Sequence, residues 1–263
     1  MVKLNKLPQN NKKKAHKKSS SVNKKDNTFW MFGIHAVKNA LLNKSRKKHQ
    51  LLISKNTFNK LGQSCNLSEI SYKILDLSTS NLPISNDKVH QGALLKVEPL
   101  RWGSVSEVCS TNPEQRSIVI ILDRVTDPHN AGAILRTAEV FGVKAVVVPY
   151  RHSPPESGSL AKSASGALEK QPYIRVPNIA QAISSLKKMN YSVIGLDSSA
   201  KTQLKSLQCS KIENLALVFG SEGYGLRRLT SELCHFLAKI KSTSDFSSLN
   251  VSNAVAISLY DSS

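Results

Sequence analysis

The chain has 263 residues, 40% of them apolar, and carries 37 Lys and Arg against 18 Asp and Glu, a formal net charge of +19. That length and apolar content suffice for one large or two smaller buried cores, and the positive excess points to a polyanionic partner, nucleic acid before an anionic membrane surface. The apolar runs are short and interrupted, which excludes a membrane-spanning helix of about 20 residues.

Residues 1–28, MVKLNKLPQNNKKKAHKKSSSVNKKDNT, hold too few large apolar side chains to offset the entropy of ordering. A disordered basic tail is expected there, either a solubilising extension or an electrostatic arm that holds RNA with little sequence preference. It lacks the apolar core of a secretory signal, and Lys supplies its fixed positive charge where transit peptides favour Arg, so a cytoplasmic location is expected. Cys65, Cys109, Cys209 and Cys234 are widely separated, with no C-x-x-C pair and no His at ligand spacing. Reduced thiols and no metal site follow from that spacing.

From Phe29 the pattern changes. Ile34, Val37, Ala40 and Leu41 recur at helical spacing, HQLLIS, YKILDL and GALLKVEPL read as strands, and NTFNKLGQSC reads as a helical stretch. One small α/β domain is expected over residues 29–98, followed by a linker over 99–115. The cations of NKSRKKHQ, Arg46 among them, are expected either to hold RNA phosphates, which position without selecting sequence, or to form a solvated basic face.

Residues 116–263 alternate regularly. The apolar strands SIVIILD, KAVVVP, YIRVP, YSVIGLD and NLALVFG are interspersed with helices at AGAILRTAEVFG, SLAKSASGALEK, IAQAISSLKKMN and SNAVAISLYDSS. Strands that are almost wholly apolar are buried on both faces, which predicts an α/β fold with a parallel sheet flanked by helices. Ligands of such sheets sit beyond the carboxyl ends of the strands.

Three post-strand loops concentrate polar residues. In the first, Pro128 prevents the strand from continuing, and Asn130 is expected to cap a helix that ends at Gly142. Arg136 lies among Ala133, Ile134, Leu135 and Ala138, where an Arg wants either a functional anion or a structural carboxylate partner. The second loop, VFGSEGYGL, has three glycines and one charge, Glu222. It is either a ligand turn or a tight strand-to-helix turn, and it is neither G-x-G-x-x-G nor a P-loop. In the third, Ser248, Asn250, Ser252 and Asn253 crowd the start of an apolar helix. One of them serves as the N-cap, leaving others to form a binding wall.

The trio DPHNAGAILRTAEVFG, FGSEGYGL and SLNVSNAVAI, with KSASGALE between the first two, resembles the three motifs of the SpoU/TrmH family of SPOUT RNA ribose 2′-O-methyltransferases. FGIHAVKNALL and HQGALLKVEPL resemble the small ribosomal-protein-L30e-like α/β domain of the branch that modifies the peptidyl-tRNA loop of large-subunit rRNA. The resemblance spans roughly residues 29–263. It implies a C-terminal SPOUT domain with a deep trefoil knot, S-adenosylmethionine (AdoMet) as methyl donor, no metal, and a homodimer with its active site at the subunit interface. It also implies catalytic roles for Asn130, Arg136, Glu222, Ser248 and Asn250, and AdoMet contacts from Val218, Gly220, Glu222, Gly223, Ile240, Leu249 and Asn250. This chain departs from the family at AKIKSTSDFSS, where Lys241 and Ser244 stand in place of a Pro and a Gly.

The implied substrate is a guanosine in 23S rRNA. A tRNA substrate and a catalytically silent RNA-binding module are the alternatives, and a dinucleotide-dependent Rossmann enzyme is disfavoured because the first strand-to-helix turn lacks its glycine fingerprint. Because a guanidinium stays protonated, Arg136 is expected to fix a phosphate and stabilise the developing alkoxide rather than act as base. Asn130 would orient Arg136 or the hydroxyl, and Glu222 would organise Asn130 or backbone donors.

Overall fold

The computed structural model describes residues 27–77, 80–243 and 249–263. Ser244, Ser248 and nearly all of the basic tail lie outside them.

The first unit holds β1 (Phe29–Phe32), α1 (Ile34–Leu42), β2 (Lys48–Ile53), α2 (Lys55–Gly62), β3 (Tyr72–Ile74) and β4 (Ala93–Val97). Its sheet runs β1-β4-β2-β3, antiparallel except for the β2/β3 pair. The segment FWMF, not distinguished as a strand by its sequence, pairs residue for residue with β4 from Phe29↔Val97 to Phe32↔Leu94. The linker is more ordered than its composition predicts. It contains α3 (Val105–Val108), closed by a Ser104/Glu107 capping box, and buries Val105 and Cys109 against the second unit's core. The capping hydrogen bonds hold the Glu107 carboxyl below its ordinary value.

The second unit comprises β5 (Ser117–Leu122), α4 (Pro128–Val140), β6 (Ala145–Pro149), α5 (Gly158–Ala164), β7 (Tyr173–Val176), α6 (Ile179–Lys188), β8 (Ser192–Leu196), β9 (Thr202–Gln203), β10 (Asn214–Phe219), α7 (Arg228–Leu233), β11 (Phe236–Lys239) and α8 (Val251–Ser262). Its seven strands, in the order β7-β6-β5-β10-β8-β11-β9, are all parallel. Every residue of β5 and β6 is buried, as helices on both faces require. α6 buries Ile179, Ala182, Ile183 and Leu186, the spacing of one helical stripe.

Two expectations about helix ends are corrected. The N-cap of α4 is Asp127, whose carboxylate accepts from His129 N at 2.9 Å, with Pro128 in the first turn. Asn130 is therefore inside the helix, with its amide free for other partners. The segment read as one helix over 159–170 breaks after Ala164, where Ser165 and Gly166 take φ of 50° and 97°. A Cβ on Gly166 would sit 2.4 Å from the Asn39 amide nitrogen, so close approach of α1 also demands glycine.

The two units meet over α5. A Cβ on Gly158 would lie 2.3 Å from the Phe32 ring, placing the helix directly on β1. Arg46, expected at an RNA phosphate or on a solvated basic face, is instead 1% exposed and bridges the units. Its guanidinium meets Glu169 through Nη2–Oε1 at 2.6 Å and Nε–Oε2 at 3.0 Å, and Glu156 through Nη1–Oε2 at 2.6 Å. Nη1 also donates to the Glu98 carbonyl at 2.7 Å. A dry guanidinium needs its planar fork filled, and these acceptors leave it no means of reaching a phosphate. No helix among the described residues is long and apolar enough to cross a membrane.

Candidate active site

β5 and β10 lie side by side, with Leu122 opposite Phe219, so the loops that follow them emerge at the same edge of the sheet. Asp123, the first residue past β5, is fully buried. Its carboxylate is held by Arg227, with Nη2–Oδ1 at 2.8 Å and Nε–Oδ2 at 3.0 Å, and by the Thr230 hydroxyl at 2.7 Å. This grip fixes the far end of the glycine loop after β10.

Within that loop Ser221 and Gly225 exchange backbone hydrogen bonds of 3.1 and 2.9 Å, and Gly223 and Gly225 have φ of 83° and 63°. Gly220 packs onto the returning strand: a Cβ there would lie 2.1 Å from the Gly225 carbonyl carbon. The turn holds Glu222 at its exposed tip.

Glu222 joins all three loops. Its Oε1 accepts from Asn130 Nδ2 at 2.9 Å, from Asn250 Nδ2 at 2.8 Å and from the Val251 backbone N–H at 3.3 Å. Asn250 Nδ2 also reaches Asn130 Oδ1 at 2.9 Å, while Asn250 Oδ1 caps α8 by accepting from Ser252 N at 2.9 Å. One amide thus ends a helix with its oxygen and binds the network with its nitrogen. Among the described residues Glu222 Oε2 has no hydrogen-bond partner.

Beside the network lies a cleft of about 530 Å³ whose walls include Gly220, Glu222, Gly223, Ile240 and Leu249. Val218 does not line it. That residue is fully buried in β10 and packs in the core on the opposite face, whereas the next residue along the alternating strand, Phe219, does reach the cleft. Asn250 does not line it and connects to it through its hydrogen bond to Glu222 and its capping of α8. Asp197, Ala254 and Ile257 were missed and also line the cleft. Asp197 had a usable signal, since it ends an apolar strand as Asp123 does.

Arg136 stays outside the network. Six residues beyond Asn130 on α4, it points about 240° around the helix, is exposed, and has neither ion-pair nor hydrogen-bond partner among the described residues. The intrachain carboxylate pairing considered for it is not made. Among the described residues no three His, Cys, Asp or Glu side chains converge on a metal position. Burial pushes the thiols of Cys109 and Cys234 up to about 11, so both are protonated and poor nucleophiles near neutrality.

Residues 117–260 match the SpoU rRNA Methylase family. The chain is 35% identical over 235 residues to the 23S rRNA (guanosine-2′-O-)-methyltransferase RlmB of Coxiella burnetii, covering 88% of this chain and 93% of that protein. With RlmB of Vibrio cholerae it shares 35% identity over 244 residues, 88% of this chain and 94% of the other. Among solved structures, the SpoU methyltransferase AviRb from Streptomyces viridochromogenes in complex with AdoMet superposes with a TM-score of 0.74 at 18% identity, over 90% of this chain and 89% of that one. An AdoMet-bound rRNA methyltransferase from Sinorhizobium meliloti gives 0.72 at 18% identity, over 90% and 87%. The matched segment contains all three loops and the Asn130–Glu222–Asn250 network, and the chain belongs to the SpoU rRNA methylase family.

Proposed function

We propose that this protein transfers a methyl group from AdoMet to the ribose 2′-hydroxyl of a guanosine in 23S rRNA, in the peptidyl-tRNA loop region. The observation that carries the reading is the 35% identity to RlmB over 88% of the chain, which takes in the first unit as well as the catalytic one. That breadth favours rRNA over tRNA and fits an L30e-like, RNA-binding role for residues 29–98.

The cleft suits AdoMet in size and chemistry. Its volume lies within the range of small-molecule sites, roughly 300–1,000 Å³. Glycine backbone at Gly220 and Gly223 permits close approach, and Ile240, Leu249 and Ile257 offer apolar walls. When bound, AdoMet supplies an electrophilic methyl on a sulfonium: the O2′–carbon bond forms as the sulfur–carbon bond breaks, leaving S-adenosylhomocysteine. The chain's own residues align the partners and handle charge. Glu222 holds Asn130 and the start of α8 as one wall, so that alignment is set before substrate arrives. Arg136 binds the neighbouring phosphate and steadies the alkoxide, while phosphate or solvent takes the proton, since a guanidinium does not accept one.

An exposed Arg136 outside the network fits a homodimer in which a second copy completes the site. Val140 on α4 and Tyr260 on α8, 80% and 74% exposed, mark the face it would cover. The trefoil knot and a cytoplasmic location belong to the same reading. The test is transfer of labelled methyl from AdoMet to unmodified 23S rRNA and to tRNA, with mapping of alkali-resistant linkages. Resistance at one rRNA guanosine is expected. Label on tRNA alone would overturn the substrate, and no label on either would overturn the activity.

A further inference from the structure

A second cleft, of about 540 Å³, opens where the two units and the linker meet. It runs alongside the edge strand β7 and plays no part in the network just described. Its chemistry is donor-rich and aromatic. Arg101 is exposed and has no ion-pair or hydrogen-bond partner among the described residues. Arg175 lays its guanidinium over the Tyr150 ring, 5.3 Å from the centroid, and fixes one end by donating from Nη2 to the Tyr150 carbonyl at 2.6 Å. That leaves Tyr150 54% exposed, and Phe29 and Trp102 add two more rings to the lining.

Two polar groups here lack acceptors. Arg175 Nε and Trp102 Nε1 are both shielded from solvent with no hydrogen-bond partner, a situation native proteins seldom leave unexplained. Among the described residues the one acid at the cleft is Glu156. Both of its oxygens are engaged, Oε2 by Arg46 at 2.6 Å and Oε1 by the Leu100 N–H at 3.0 Å. The cleft therefore presents positive charge, spare donors and ring faces together, the combination that takes a phosphate with a flat heterocycle attached. Its position supports a substrate role. Tyr150 follows the carboxyl end of β6, and β6 neighbours β5, so it stands on the same rim of the sheet as the Asn130–Glu222–Asn250 network.

We propose that this interdomain cleft is an RNA subsite that takes one unpaired nucleotide of the substrate, base against Tyr150 and Trp102, phosphate on Arg101 and Arg175. The proposal rests on the RNA-methylating reading, and its test separates the two. In the full-length protein, Arg101→Gln combined with Tyr150→Ala raises KM for 23S rRNA roughly tenfold, with kcat at saturating RNA and the KM for AdoMet unchanged. If wild-type protein methylates rRNA and the double variant has the wild-type KM, the proposal falls while the activity stands. Direct binding covers the case in which wild-type protein is inactive. Trp30→Phe leaves Trp102 as the only indole, and a single-stranded oligoribonucleotide should quench it, with Arg101→Gln weakening the titration. Absence of quenching overturns the subsite, and equal quenching by free GMP at the same nucleotide concentration overturns its assignment to RNA.

Discussion

Two glutamate-centred networks in this molecule use the same functional group in opposite ways. At the junction of the units, Glu156 and Glu169 are buried around a buried Arg46, and charge answers charge. At the candidate site, Glu222 is exposed and its partners are two amides and one backbone N–H. The first arrangement resists any change, because removing one member strands a charge in a dry interior. The second fixes Oε1 while Glu222 remains part of the cleft wall. A carboxylate that anchors is matched by a cation; one that serves a ligand is oriented by neutral donors.

The largest effect should come from breaking the buried set. Arg46→Met strands Glu156 and Glu169 and should cost about 3–5 kcal/mol in urea unfolding. Adding Glu156→Leu and Glu169→Leu should return most of it; a single variant as stable as the parent would show that the network is not dry. Next comes the residue proposed to steady the reacting oxygen. Arg136→Lys should lower kcat by roughly 10²-fold with AdoMet affinity retained by calorimetry, and near-normal turnover would remove Arg136 from the chemistry.

Glu222→Ala should weaken AdoMet about tenfold, whereas Glu222→Gln, which keeps an acceptor oxygen for Asn130 and Asn250, should keep most of the affinity. Equal losses in both would assign the effect to charge rather than geometry. Deleting residues 1–28 should weaken RNA binding across sequences and flatten its dependence on salt; an unchanged slope in a filter-binding series would exclude the arm.

The smallest effect lies outside both networks. His235 accepts the Val193 N–H at Nδ1, 3.0 Å away, and partial burial, with repulsion from Lys187, lowers its pKa below the ordinary 6.5. A folded-state value below the unfolded one means the contribution is complete above that ordinary value and is lost as pH falls through the lower one. Melting temperature should therefore drop slightly more on acidification in the parent than in His235→Gln, and parallel curves would dismiss the histidine.

The parallel sheet and the three loops were legible because each leaves a local mark: continuous apolar strands, glycine clusters, polar residues at helix starts. That Glu222 would organise Asn130 or backbone donors was also an expectation from sequence, and it holds both Asn130 and the Val251 N–H. What escaped was set by distant neighbours. Nothing near Arg46 announces that Glu156 and Glu169, more than a hundred positions away, will enclose it. β11 is four residues long with only Ala238 fully buried, too short a run to stand out as a strand. Asn130 was misread as a cap because Asp127, three residues earlier, competes for the same role and wins by preceding Pro128. Val218, expected at the cofactor, lies on the opposite face of β10 from the cleft, and Phe219, one position on, lines it.

The seam over α5 has a consequence for how a target is chosen. With Gly158 set against the Phe32 ring, Gly166 against Asn39, and a buried, carboxylate-bound guanidinium between them, the two halves are packed closely together across α5. Under the proposed function, halves packed this closely are poorly placed to wrap a substrate, and conforming falls to the RNA. That deformation is cheapest where nucleotides are already unpaired and splayed, and it becomes costly once surrounding helices lock them in place. Under the proposed function the protein would then sort sites by pliability and favour unpaired rRNA early, before surrounding helices make it rigid.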